Sequence, residues 1–366
     1  MKAIITLISF MLCFSAFGQE NDSSLNLIFT GDIMVHGDQL KSAWYPDDST
    51  WNFRVWFKDV EEILQNADFC IGNLEQPLGV KPYKGYPSFG SPVELAEDLK
   101  KAGFDVLLTA NNHAFDRGKK GVVKTIDVLD NLGIYHTGTF KSQKDRTFNV
   151  PLILEKNGIR LAVLNYTYGS NNNADETMLS VMKTDVVKKE IEAANIIHPD
   201  KIVAVMHWGN EYRSFPNDVQ KQWKDSLLLW GVDYIIGAHP HVLQPMEWDN
   251  SAENETFVAW SLGNFISNMY FKRTDGGALL HLTLSRQNGE VSISDAAYDL
   301  MYVYKYRDDN QHIQYRLRPV QMFMDKRDAF KADSYDKMIK YKSLADTVMK
   351  HNINVPERKF KTNTYE

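Results

Sequence analysis

From about residue 25 to residue 240 the sequence alternates short β-branched runs with longer amphipathic stretches at helical spacing. Few architectures satisfy that alternation, because apolar runs of this length bury both faces most readily as parallel strands joined by crossover helices. "LNLIFT" (25–30), "ADFCI" (67–71), "FDVLLTA" (104–110), "RLAVLNY" (160–166), "KIVAVM" (201–206) and "VDYII" (232–236) read as strands of a largely parallel sheet. Between them "FRVWFKDVEEILQ", "PVELAEDLKKAG", "GVVKTIDVLDNLG" and "DVQKQWKDSLLLWG" read as helices, three of them closed by a glycine. "VPLILEKNGIRLAVLNY" (150–166) differs: Asn157-Gly158 between two apolar runs predicts an antiparallel hairpin.

Beyond residue 241 the pattern changes. "VLQPMEW", "TFVAWSL", "ALLHLTLS" and "EVSISDAAY" are strand-like runs joined by polar turns, expected to complete one sheet or to build a second against the first. A helix is expected near 333–350, followed by a polar tail. The first eighteen residues, "MKAIITLISFMLCFSAFG", pass from Lys2 through an apolar stretch to small residues, the pattern of a secretory signal cut before Gln19. The expected organisation is therefore a signal peptide at 1–18, one domain at 25–300, and C-terminal strands, helix and polar tail at 301–366, in an exported protein of the periplasm or extracellular space. Past the signal, Cys70 is the remaining cysteine; it has no internal partner and is expected buried within "ADFCIG". A net charge of -6 supplies no basic stripe for a phosphate backbone, so nucleic acid is not an expected partner.

Polar residues gather where these strands stop. Gly31-Asp32 follows the first, with His36 beyond it; Asn73 and Glu75 follow the second, Asn111-Asn112-His113 the third, His207 "KIVAVM", and His239-Pro240-His241 "VDYII". In an extended segment residues i and i+2 share a side, so His239 and His241 are expected to converge through strand alternation. Each residue alone has a local role open to it, as an Asx turn, a helix cap or a backbone-bonded histidine. Carboxyl ends of parallel strands, however, share one edge of a sheet, where ligands bind. Two carboxylates, a carboxamide and several imidazoles without a thiolate suit Mn, Fe or Zn, and the set is rich enough for one or two divalent ions.

At these residues the chain resembles the CapA family of capsule and poly-γ-glutamate synthesis proteins, itself similar in fold to the calcineurin-like metallophosphoesterases. The resemblance runs from about Leu27 to Phe265 and rests on "GDIM", "GNLEQP", "YPSFGSP", "GFDVLLTANNHAFDRGKKGV", "HWGNEYRSFPNDVQ", "GVDYIIGAHPHVLQ" and "SLGNF". It implies an α/β fold of four layers, α/β/β/α, and a dinuclear site: Asp32 and His241 on one ion, Glu75 bridging, and Asn112, His207 and His239 on the other. It implies His113 as the catalytic acid and "YPSFGSP" as a cover for the cleft. Two departures stand out. His36 lies four residues after Asp32 rather than two, which leaves its role as a ligand open, and the bridging residue is Glu75 where an aspartate is usual.

Glu211, Tyr212 and Arg213 in "HWGNEYRSFP" are candidates for the rim of the cleft or for a plain surface loop. Asn264 and Ser261 in "SLGNF" are candidates for substrate contact or for holding loops. Asp116 is a candidate orienter of His113 or a helix cap. The expected function is metal-dependent hydrolysis or transfer on an anionic envelope polymer or a phosphoester, in capsule or poly-γ-glutamate metabolism and beside polymer-synthesis membrane proteins. The alternatives are a non-catalytic component of polymer assembly and an exported phosphoesterase.

Overall fold

The computed structural model describes residues 23–250 and 255–359; the signal read at 1–18 lies outside them. In chain order the strands are β1 (Ser24–Ile33), β2 (Trp44–Tyr45), β3 (Thr50–Trp51), β4 (Phe69–Leu74), β5 (Val106–Leu108), β6 (Tyr135–Thr137), β7 (Leu152–Lys156), β8 (Ile159–Thr167), β9 (Lys201–His207), β10 (Tyr234–Ala238), β11 (Met246–Asp249), β12 (Thr256–Ala259), β13 (Asn264–Ile266), β14 (Gly276–Gln287), β15 (Glu290–Arg307) and β16 (Ile313–Pro319). One sheet has the order β16–β15–β14–β1–β4–β5–β6, with β13 beside the end of β1; the other has the order β11–β12–β10–β9–β8–β7.

The apolar runs form strands where expected, but not one parallel sheet. β1, β4, β5 and β6 are parallel in the first sheet, and β8, β9, β10 and β12 are parallel in the second. The chain changes sheets after β6, and the hairpin of β7 and β8 starts the new one. Its turn places Asn157 at φ 53° and Gly158 at φ 74°, the paired left-handed residues of a type I′ turn. The split escapes the sequence because a strand buried on both faces has the same apolar pattern in either sheet.

Alternation along the strands sets the layers. Leu27 and Phe29 of β1 and Ile71 of β4 point inward and pack with Val163, Val205 and Ile236 of the second sheet. Their neighbours Ile28, Cys70 and Leu107 point outward and are covered by Leu64, Leu95, Leu99 and Leu129 from helices. On the far side Ala162, Leu164 and Ile235 are covered by Val187, Ile191 and Leu227. The layers are helix, sheet, sheet, helix, the four-layer sandwich expected. The stretch 53–65 forms two short helices, Arg54–Phe57 and Glu61–Gln65, rather than one.

The third region does not stand apart. Residue 300 lies inside β15, so residues 301–319 complete the first sheet. Tyr298, Leu300, Tyr302 and Tyr304 face inward against Met338, Tyr341 and Ala345 of the helix Ser334–Met349, while Met301 and Val303 face outward. Cutting at residue 300 would divide that alternating strand. No helix among the described residues is long and apolar enough to cross a membrane.

Candidate metal centre

The carboxyl ends of both parallel halves open onto one place between the sheets. Asp32 is on β1, Glu75 follows β4, and Asn112 and His113 follow β5; His207 ends β9, and His239 and His241 follow β10. Close backbone approach holds the ends together: Asp32 N–H donates to Gly263 O at 2.9 Å and Trp208 N–H to Ala238 O at 3.1 Å. A methyl group on Gly31 would lie 2.0 Å from Gly263 O, and one on Gly237 would lie 1.9 Å from Trp260 O, so neither position tolerates a side chain.

His239 and His241 do converge, with ring centroids 5.8 Å apart, but strand alternation is not the cause. β10 ends at Ala238, and the two histidines sit at φ 93° and φ 56°, in the left-handed region. Such conformations cost a non-glycine residue roughly 1–3 kcal/mol each and persist only where the surroundings impose them. Asp32 meets both residues there, its Oδ2 accepting the His239 N–H at 3.3 Å and lying 3.0 Å from His241 Nδ1, and the turn is also held by the Tyr212 N–H donating to Pro240 O at 2.8 Å.

Ligating atoms of Asp32, Glu75 and His241 lie within 4.8 Å of one another, as do those of Glu75, His207 and His239. Glu75 is common to both groups. Asn112 joins the second, its Oδ1 being 2.8 Å from His207 Nε2. All six residues are buried. Among the described residues, neither carboxylate oxygen of Glu75 nor His239 Nδ1 has a hydrogen-bond partner; Glu75 Oε1 is 3.5 Å from His207 Nε2 and 3.9 Å from His241 Nε2. A buried carboxylate in that condition is costly unless a cation meets it, and a ring of inward-facing oxygen and nitrogen lone pairs fits a divalent ion.

The charges of these groups are linked through their contacts. Burial opposes the charge on Asp32, yet hydrogen bonding and charge from His241, followed by His207 and Asn73, hold its carboxyl below the usual range. Burial likewise opposes a proton on His241, but Glu75 and Asp32 push it up to about 9. His239 goes the other way: burial, then the neighbouring His207, His241 and His113, push it well below the ordinary imidazole range. It is therefore neutral and keeps a free lone pair.

His113 is held from behind. Its Nδ1 is 2.7 Å from Asp116 Oδ2, which also accepts the Phe89 N–H at 2.7 Å, while Asp116 Oδ1 accepts from Asn172 at 2.7 Å. Asp116 is thus the orienter rather than a cap, and Arg117 occupies the N-cap of the next helix. The "YPSFGSP" loop is tied to the same place, since Ser88 donates to Asp116 O and accepts from Arg117 Nη1. The Phe89 ring meets His113 edge-on at 4.7 Å.

The residues read as substrate contacts fare differently. Glu211 is exposed, and its carboxylate lies within 4.8 Å of ligating atoms of His239 and His241, nearer the centre than a rim contact. Tyr212 lines the mouth, its ring centroid 6.3 Å from that of His241. Asn264 is fully buried, its Oδ1 3.2 Å from His241 Nδ1 and its Nδ2 donating to Thr274 O, contacts that fit the loop-holding alternative of its two readings. Ser261 is also internal, donating to Val242 O. His36 stands outside the two donor groups, and its Nδ1 accepts the Asn268 N–H; burial, foremost, lowers it to about 4.

Sequence reasoning gave Asn73 no role. Its Nδ2 donates to Asp32 Oδ1 at 2.7 Å and sits 3.3 Å from His207 Nδ1, joining the two halves. Its place in "GNLE", one residue past a glycine at a strand end, was the available signal. Tyr168, half exposed with its ring 4.7 Å from His239, carried none.

Residues 26–269 match the family model described as "Bacterial capsule synthesis protein PGA_cap". The chain is 30% identical over 286 residues to "Capsule biosynthesis protein CapA" of Bacillus anthracis, covering 74% of this chain and 66% of that protein. It is 31% identical over 282 residues to "PGA biosynthesis protein CapA" of Bacillus subtilis (strain 168), covering 74% and 70%. It thus spans about two thirds of the length of these relatives. Among solved structures, the calcineurin-like phosphoesterase YfkN from Bacillus subtilis aligns at 13% identity over 76% of this chain and 90% of that one, with a TM-score of 0.42. NAD nucleotidase (NadN) from Haemophilus influenzae aligns at 13% identity over 89% and 61%, with a TM-score of 0.46.

Proposed function

The chain belongs to the bacterial capsule synthesis protein family PGA_cap, and from that membership and the buried donor set we propose an exported, metal-dependent hydrolase or transferase acting on an anionic envelope polymer of the capsule or poly-γ-glutamate type. The observation that carries the reading is Glu75, a carboxylate buried without a hydrogen-bond donor and shared by two groups of candidate ligands. Asp32 and His241 would hold one divalent ion, Asn112, His207 and His239 a second, with Glu75 between them; Mn, Fe or Zn suits the donors. Such ions, when bound, polarise the bond under attack and make water nucleophilic near neutral pH.

The remaining roles belong to the chain. With Nδ1 engaged by Asp116, a protonated His113 has only Nε2–H to give, so it delivers a proton to a leaving oxygen or nitrogen from a fixed direction. Asn73 holds Asp32 in place. Phe89 and its loop shield His113 from bulk water.

The test is direct. The purified chain is assayed for bound metal and then for cleavage or transfer on γ-linked glutamate oligomers and on phosphodiesters, with His113→Ala and His239→Ala alongside. Activity that depends on metal and falls in both variants supports the reading. Substrate turnover indifferent to chelation and to both substitutions ends it. The biosynthesis named in the relatives' descriptions favours a second reading, a non-catalytic part of polymer assembly; polymer binding that survives chelation and loss of His113 would select it.

A further inference from the structure

Beside the centre is a pocket that the chemistry above does not use. It is a cavity of about 440 Å³ whose wall includes Tyr212, Arg213, Ser214 and Arg273, and among the described residues no Asp or Glu lines it. The Ser214 hydroxyl and Arg273 Nε are buried without a hydrogen-bond partner among the described residues, and Ser214 as a whole is only 7% exposed. The acids two residues from these arginines are placed elsewhere: a Glu211 carboxylate oxygen lies within 4.8 Å of ligating atoms of His239 and His241, and Asp275 lines a different pocket. Two arginines line one pocket, the exposed Arg213 and the half-buried Arg273, next to an unsatisfied hydroxyl, an arrangement that an oxyanion would complete.

The wall is built as well as charged. Arg213 O accepts from Gln244 Nε2 at 2.8 Å, and Gln244 Oε1 accepts from Gln220 Nε2 at 2.9 Å. Gln220 in turn forms a capping box with Asn217, and both line the cavity, so the first turn of the helix Asp218–Leu229 is fixed at its wall. On the other side Thr274 O is held by Asn264, which contacts His241, so the segment carrying Arg273 is anchored to the centre itself. Tyr212 at φ 63° and Arg273 at φ 74° are both in the left-handed region, a conformation retained at a cost on two sides of one cavity.

We propose that this pocket is a second anion-binding subsite of the cleft, in which Arg213, Arg273 and Ser214 grip a carboxylate or phosphate of a ligand whose neighbouring unit lies at the centre, with Tyr212 as the partition. Only the ligand's reach into the centre rests on the function proposed above; oxyanion affinity belongs to the pocket alone. The full chain, stripped of metal by chelation and again with Mn²⁺, is titrated with inorganic phosphate, glutarate and γ-linked tetraglutamate, following intrinsic fluorescence. The metal-free wild type binds an oxyanion; phosphate alone or glutarate alone identifies which kind, and a preference for tetraglutamate marks an extended ligand. The R213Q/R273Q pair weakens binding at least about tenfold, as loss of charge-assisted hydrogen bonds requires, while R213K/R273K keeps most of it. If the glutamine pair does not fold, Ser214→Ala and Arg273→Gln made singly should each lose severalfold. Wild-type affinity in all the glutamine variants, or a wild type that binds none of the three probes, overturns the proposal. Metal content in the same samples separates this from failure of the centre: a chain that takes up no Mn²⁺ yet loses oxyanion affinity with the arginines sinks the centre and leaves the subsite.

Discussion

Replacing Glu75 by glutamine keeps the size of a fully buried side chain and removes its charge. In the metal-free protein two effects oppose each other. A charged His241 with Nε2 3.9 Å from Glu75 Oε1 is attracted by about 4 kcal/mol at an effective dielectric constant of about 20. Desolvation of a buried ion costs several kcal/mol, the same order. Metal-free wild type and Glu75→Gln should therefore unfold within about 2 °C of each other, since the two terms nearly offset. With metal the balance breaks. An ion at a hundred times its dissociation constant stabilises the wild type by about 2.7 kcal/mol. Unfolding entropy of about 2.1 cal/mol/K per residue gives about 0.7 kcal/mol/K for roughly 330 folded residues, so Tm should rise by about 4 °C. The variant, lacking the anionic oxygen common to both donor groups, should rise by less than about 1 °C on that same slope. Thermal melts after chelation, with and without MnCl2, measure the difference, and elemental analysis counts the metal. An equal rise in both proteins, with equal metal content, would refute the assignment of Glu75.

His113→Ala should lower kcat on any substrate the wild type turns over by about 10²–10⁴-fold with metal content retained. Asp116→Asn should cost a smaller 10–100-fold or so, with KM nearly unchanged, because it only orients the imidazole; an unaltered kcat would remove Asp116 from the account. Gly237→Ala drives a methyl group to 1.9 Å from Trp260 O; overpacking of about 1–3 kcal/mol should lower Tm by about 1–4 °C and release metal as His239 shifts. A melt matching wild type would contradict the close approach. Cys70 is fully buried and burial pushes its thiol well above the ordinary value, so in native protein it should react with a thiol reagent no faster than the chain unfolds; rapid labelling would show that face of the first sheet to be open.

The sequence-level reading reached the strands, the β7–β8 hairpin and the donors because each rests on local chemistry: apolar runs, an Asn-Gly turn, polar residues at strand ends. It missed what is decided between distant segments. Nothing in "KIVAVM" or "VLLTA" says which strand will lie beside it, so two sheets were implied by the family resemblance, while the sharing of the parallel strands between them was not legible in the residues. The convergence of His239 and His241 was right for the wrong reason, since both lie past the strand in the left-handed region, where the His239 N–H meets Asp32, some two hundred residues away in the chain. Asn264 was open to two readings, substrate contact or loop holding, and its contact with His241 depends on chain folded from elsewhere. Arg273 lies in a short connection with no periodicity, and only the fold brings it to Arg213.

Of the six candidate ligands, Asp32, Glu75 and Asn112 ride on the first sheet, and His207, His239 and His241 on the second. The donor set therefore behaves as a clasp across a seam: slippage of one layer against the other pulls it apart, and whatever fastens the clasp resists the slippage. Loading should accordingly slow amide hydrogen exchange at the ends of β4 and β9 together, although the two strands share no backbone hydrogen bond.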